Sequence, residues 1–377
     1  MALILLTSLI CGEMVLTRAR GQARPAPQEQ SRPRRAAEAS PQPSPTPSSS
    51  SKGEVSGQDE VVRVETNLTN ILFTAVDKNK RFITTLRQED VRVLEDGVPQ
   101  EVFTFQRETD RPLSLAILID VSVSQLMTLP GEKAAASAFV DSIVRSQKDE
   151  VAVVSFTGEA AVEQELTADV ERVHRAIDRV EIVLPAGYPR GGSNPPGSAP
   201  STSDADPRLG TTAIWDAVWA TSSELLSDSK DQKRRAIILL TDGVDTSSSV
   251  KRSEAIDRAV KADTVIYTIG IGDTYNFKGV EEDTLRKLSE RTGGRAYFPR
   301  DGKDLRVAFA QIEQELRSQY LVAYSPTNKA RDGSYRKVQI EVVNPTFAKE
   351  KLRLTYRPGY FARTPATPAA GPSTRLP

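Results

Sequence analysis

Three short segments carry side chains able to hold a hard cation: Asp120-Val121-Ser122-Val123-Ser124, Gly210-Thr211-Thr212-Ala213 and Thr241-Asp242-Gly243. Together they offer the carboxylates of Asp120 and Asp242 and several serine and threonine hydroxyls, with no side-chain nitrogen or sulfur among them. Oxygen-only donor sets suit magnesium, which takes about six oxygens and keeps some of them as water; manganese and calcium share the preference. Two carboxylates leave little negative charge around a divalent ion. An open coordination position then favours an external carboxylate, which is binding chemistry. Each segment also has an ordinary reading. Serine and threonine cap helices, and Asp-Gly is a common turn. Asp-x-Ser-x-Ser alone is therefore a weak signal. The three segments in this order, each at the end of a strand or helix, are a strong one. Nearby Asp216 and Asp245 read as surface or capping residues.

The elements that must position these groups follow from periodicity. Leu113–Ile119 is a near-continuous apolar run of the kind buried in a parallel sheet. Glu132–Lys148 reads as an amphipathic helix with Phe139, Val140, Ile143 and Val144 on its core face. Strands are expected at Glu150–Phe156, Arg235–Leu240, Thr264–Ile269 and Arg295–Phe298, with a short edge strand at Ala161–Leu166. Helices are expected at Asp169–Ile182, Ala213–Leu226, Ser253–Lys261, Asp283–Thr292 and Asp304–Arg317. This alternation argues for a doubly wound, mostly parallel α/β sheet flanked by helices. In such sheets ligands sit beyond the carboxyl ends of the strands, at the switch point. Asp120 and Asp242 both lie at strand carboxyl ends, so adjacent strands would bring them together.

The constellation resembles the von Willebrand factor A family. It looks most similar to bacterial proteins with an acidobacterial-type von Willebrand factor A-related domain. The resemblance implies a Rossmann-like fold and a metal-ion-dependent adhesion site made by Asp120, Ser122, Ser124, Thr212 and Asp242. It covers about Arg111 to Gln319. Glu95-Asp96-Gly97, Thr292-Gly293-Gly294-Arg295-Ala296-Tyr297 and Pro358-Gly359-Tyr360 extend it into the flanking β segments. One departure is Gly210-Thr211 where the family's turn begins Gly-Gly. A β-branched residue there restricts the backbone and leaves Thr211 able to share the ligand role with Thr212.

Composition limits the alternatives. The 377 residues carry 50 Lys+Arg and 50 Asp+Glu, which gives no general reason to bind nucleic acid. With one cysteine, Cys11, and one histidine, His174, the chain forms no internal disulfide and no multi-Cys/His zinc site. A Ser-His or Cys-His pair would have to use His174, which sits on a charged surface helix. No phosphate loop, dinucleotide fingerprint or Gly-x-Ser-x-Gly elbow occurs. An Asp-nucleophile phosphotransferase would need an acid where Ser122 stands. The chain is therefore expected not to be an enzyme.

The expected order along the chain is a signal peptide over 1–23, a disordered Pro/Ser-rich linker over 24–58 and a β module over 59–107. The A-type domain then spans 111–318, a C-terminal β segment 319–363 and a disordered tail 364–377. The two β segments each have too few strands for a covered core, so they are expected to pack as one β-sandwich-like unit. No stretch after the signal is long enough for a membrane helix. A Gly/Pro/Ser-rich insertion over 185–210 leads into the Thr212 turn. These features predict an exported protein of the periplasm, envelope or exterior. It would engage a protein ligand offering a carboxylate through Mg2+ (or Mn2+ or Ca2+). The alternative is an intracellular assembly or scaffold factor partnering an ATPase complex.

Overall fold

In the computed structural model the chain is described over residues 68–108, 110–145, 147–184, 211–227, 233–272 and 279–364. The expected signal, linker, 185–210 insertion and the tail after Thr364 lie outside these residues.

The chain opens with β1 (Thr69–Val76), β2 (Val91–Glu95), β3 (Val98–Gln100) and β4 (Val102–Arg107). Asp96-Gly97 makes the β2–β3 hairpin, with φ of 49° and 84°. Both residues must enter the left-handed region there, which Asp tolerates and Gly prefers. The α/β domain follows: β5 (Leu113–Asp120), α1 (Leu129–Ile143), β6 (Glu150–Phe156), β7 (Ala160–Thr167), α2 (Val170–Arg179), α3 (Ile214–Ala220), β8 (Arg234–Thr241), α4 (Arg252–Lys261), β9 (Thr264–Gly270), α5 (Glu282–Thr292), β10 (Ala296–Tyr297) and α6 (Gly302–Arg317). The chain then returns to β11 (Tyr320–Tyr324), β12 (Tyr335–Val342), α7 (Pro345–Glu350), β13 (Arg353–Tyr356) and β14 (Gly359–Phe361).

The α/β sheet has the order β10-β9-β8-β5-β6-β7. All of its pairs are parallel except β6–β7. Every residue of β5 is buried, as expected of a central strand covered on both faces. One apolar layer packs under α1, α2 and α6 through residues such as Phe139, Ile177 and Phe309. The other packs under α3, α4 and α5 through residues such as Val218, Ala259 and Leu288. The helix expected over Ala213–Leu226 holds α geometry to Ala220 and widens to a π segment over Thr221–Leu225.

The two outer β segments interleave. β1 pairs with β11 and β13, and β11 pairs also with β4. β12 pairs with β2 and β14. The resulting antiparallel sheets, β13-β1-β11-β4 and β14-β12-β2-β3, enclose a core of Ile71, Phe73, Val93, Tyr320, Val322 and Val338. The expected joint β unit is thus formed by strand exchange between the two ends of the described chain.

Candidate metal centre

The switch point falls between β5 and β8, because the chain leaves β5 for β6 on one side and later returns to β8 on the other. Their parallel register sets Ile119 beside Leu240, which brings Asp120 next to Thr241 at the carboxyl edge. Asp120 is fully buried. Its Oδ1 accepts the Ser122 amide at 2.9 Å, and its Oδ2 accepts the Thr241 hydroxyl at 2.6 Å. Both oxygens are therefore fixed in direction. Burial pushes this carboxyl up to about 6, with hydrogen bonds from Ser122 and Thr241 opposing and the charge of Asp242 adding.

The turn after β5 is tight, with the Gln125 amide donating to the Ser122 carbonyl at 3.0 Å. It sets the Ser122 and Ser124 hydroxyls 3.0 Å apart. Asp242 begins the loop after β8. Its Oδ1 accepts the Val244 amide at 2.9 Å. Burial raises this carboxyl as well, while the Val244 amide and the Ser124 hydroxyl favour its ionised form.

Thr212 is placed through its backbone. Its amide donates to Thr246 Oγ1 at 2.8 Å, and its carbonyl accepts the amides of Thr246 at 2.8 Å and Ser247 at 3.1 Å. The loop that carries Asp242 therefore also carries the clamp on Thr212. Asp245 caps α3 by accepting the Ile214 amide at 2.8 Å, and Asp216 accepts the amides of Ser249 and Val250. Both acids serve loop structure, as their sequence context suggested. His174, on α2, faces Asp141, on α1, at 3.0 Å.

Asp120, Ser122, Ser124 and Asp242 thus meet through shared hydrogen bonds, with Thr212 held on the adjoining loop. Among the described residues no three His, Cys, Asp or Glu side chains group closely enough to hold an ion. Any ion at this edge would need the hydroxyls as well as the carboxylates. That mixed oxygen set fits a hard divalent cation with water completing its shell.

One acid nearby escaped the sequence reading. Glu132, on the first turn of α1, is fully buried. The Thr128 hydroxyl donates to Gln125, at 2.9 Å from its Oε1 and 3.2 Å from its carbonyl. Both Glu132 oxygens are left without a hydrogen-bond partner among the described residues. Burial pushes Glu132 up to about 8, with the Thr128 hydroxyl opposing and the charges of Asp120 and Asp242 adding.

Residues 113–298 match the von Willebrand factor type A domain family. Comparison with curated proteins gives no match. Among solved structures, the chain is similar to proximal thread matrix protein 1 from the mussel byssus, at 18% identity and a TM-score of 0.44, over 59% of this chain and 51% of that one. The alignment thus spans about half the length of the mussel protein. A second structure of that protein, described as having a zinc-occupied MIDAS motif, matches at 17% identity and a TM-score of 0.42, over 56% of this chain and 50% of that one. A von Willebrand factor type A protein from Catenulispora acidiphila matches at 16% identity and a TM-score of 0.43, over 83% of this chain and 78% of that one.

Proposed function

Since the chain carries a von Willebrand factor type A domain over residues 113–298, we propose that it is an exported, non-enzymatic binding protein that engages a protein partner through a divalent metal. Asp120, Ser122, Ser124, Thr212 and Asp242 would hold the ion, with Mg2+ the first candidate. The bound ion would supply a Lewis-acidic position for a carboxylate of the partner.

The observation that carries this reading is the state of Asp120. A fully buried carboxylate is costly unless something compensates its charge. Here Asp120 has only neutral donors, and a second buried carboxyl, Asp242, adds to its burden. A cation at the strand edge relieves both. The pinned geometry also means that little reorganisation is needed to bind. For export, the support is the apolar run Ala2–Ile10 followed by the small residues Gly21 and Ala23. Among the described residues no helix is long and apolar enough to cross a membrane.

Calorimetry tests the metal. The protein should bind one Mg2+ or Mn2+, and Asp120→Ala should abolish the heat; equal heats for both proteins would count against the site. Mass spectrometry of the protein from cell-envelope fractions tests export, with a mature start near Arg24 expected. A full-length cytoplasmic product would favour the scaffold reading instead.

A further inference from the structure

A buried polar group with no hydrogen-bond partner is rare enough to ask what the partner is. Glu132 is such a group. It is fully buried, neither carboxylate oxygen has a hydrogen-bond partner among the described residues, and it lies within electrostatic reach of both Asp120 and Asp242. The surroundings are committed elsewhere. Gln125, itself fully buried, donates its Nε2 to the Ile271 carbonyl at 3.1 Å and accepts Thr128 on its Oε1. Ile271 in turn donates its amide to the Thr241 carbonyl at 3.0 Å. Glu132 therefore stands behind a closed polar brace that ends at the strand edge bearing Asp120 and Asp242. It packs in the same helix stripe as the apolar Ala135, Ala136 and Phe139. Burial favours the protonated acid there, and among the described residues no basic side chain bears on it, so its ionised form calls for a positive charge from elsewhere.

We infer that Glu132 is a third acidic group of the metal centre, a positioning residue that favours the cation from behind the ligand ring without coordinating it. This rests on the proposed metal-binding reading. Direct coordination is not needed, since no three acids here group closely enough to hold an ion between them. The consequence is a site with three negative groups around a divalent ion, where the ligand motif alone supplies two. The extra charge raises affinity for the ion and strains the apo protein. Ion binding and folding stability are thereby coupled through one side chain.

The test is Glu132→Gln in the full chain, which keeps the shape and removes the charge. Mn2+ binding is read by electron paramagnetic resonance and calorimetry, and thermal melting is followed with and without chelator. We expect Mn2+ affinity to fall by about 10- to 100-fold, the usual effect of losing an outer-shell partner. The chelated variant should melt above the chelated wild type, so affinity and apo stability move in opposite directions. A merely structural residue would not produce that split. Glu132→Asp, which keeps the charge, should retain most of the affinity. If Glu132→Gln binds Mn2+ as tightly as wild type, while Asp120→Ala abolishes binding, the inference is overturned and the metal site stands. If wild type itself takes up no Mn2+, both fall.

Discussion

The buried acids at the strand edge make the apo protein sensitive to pH in a definite direction. Glu132 is pushed from an ordinary value near 4.5 up to about 8 in the folded chain, and Asp120 from 3.8 up to about 6. Between the unfolded and folded values the folded state holds the extra proton, so stability falls as pH rises. The contribution is fully present below the unfolded pKa and is lost as pH passes the folded one. The window from about pH 6 to 8 belongs chiefly to Glu132, because Asp120 has largely finished titrating there. In chelator the melting temperature should therefore drop across pH 6 to 8, and Glu132→Gln should flatten that limb. The groups bearing on Glu132 are Thr128 and the charges of Asp120 and Asp242, so the flattening isolates one carboxyl. A limb unchanged in the variant would assign the slope elsewhere. Asp120 and Asp242 were legible in the sequence because each ends an apolar strand. Glu132 was not, because hydrophobic periodicity assigns charged residues to the outer face. The usable signal was its spacing, three, four and seven residues before Ala135, Ala136 and Phe139.

At the scale of elements, the loop after β8 does two things at once. Asp242 at its start faces the serine turn, and Thr246 four residues later clamps the Thr212 backbone. Thr246→Val removes the hydroxyl that accepts the Thr212 amide while keeping the shape. It should cost about 1 kcal/mol of stability, by denaturant titration, and weaken Mn2+ binding at the proposed site, of whose proposed ligands Thr246 is not one. Binding equal to wild type would mean that Thr212 needs no clamp. The strands that carry the site were readable because parallel, doubly covered strands are runs of apolar residues. The loops were not. The pinning of Thr212 depends on contacts across more than thirty residues of sequence, between Thr212 and Thr246, and no local pattern encodes them. The same holds for the widening at Thr221–Leu225, where a helical periodicity continues although the hydrogen bonding changes.

At the scale of the molecule, the β sandwich is fastened by one buried ion pair. Glu95, on β2, meets Arg336, on β12, at 3.1 Å. Its other oxygen accepts the hydroxyls of Tyr324 at 2.9 Å and Tyr360 at 2.8 Å. One side chain from before the α/β domain thus binds three from after it. Glu95→Ala would leave the Arg336 charge buried without its carboxylate. The loss should be about 3–5 kcal/mol, the usual effect of breaking a buried pair, read as a lower urea midpoint. Sequence foretold that the outer segments would combine, since neither had strands enough. It could not foretell that β11 would insert between β1 and β4, because pairing partners far apart in the chain leave no local trace.

That insertion has a mechanical side. β4 and β11 are neighbours in register, Arg107 opposite Tyr320, and the Glu108 amide closes on the Gln319 carbonyl at 2.8 Å. The α/β domain leaves and re-enters the sandwich through adjacent strands, like a bead on a stitched loop of thread. The end strands of the described chain are β1, paired with β11 and β13, and β14, paired with β12, so tension applied between the ends would enter the sandwich through those pairings. The domain bearing Asp120 and Asp242 lies off that line. A protein anchored at one end and pulled at the other would load its sandwich first and keep its α/β sheet in shape. Pull delivered through the carboxyl edge of the α/β sheet would cross the stitch at Arg107 and Tyr320, where the two antiparallel strands would unzip, each hydrogen bond breaking in turn.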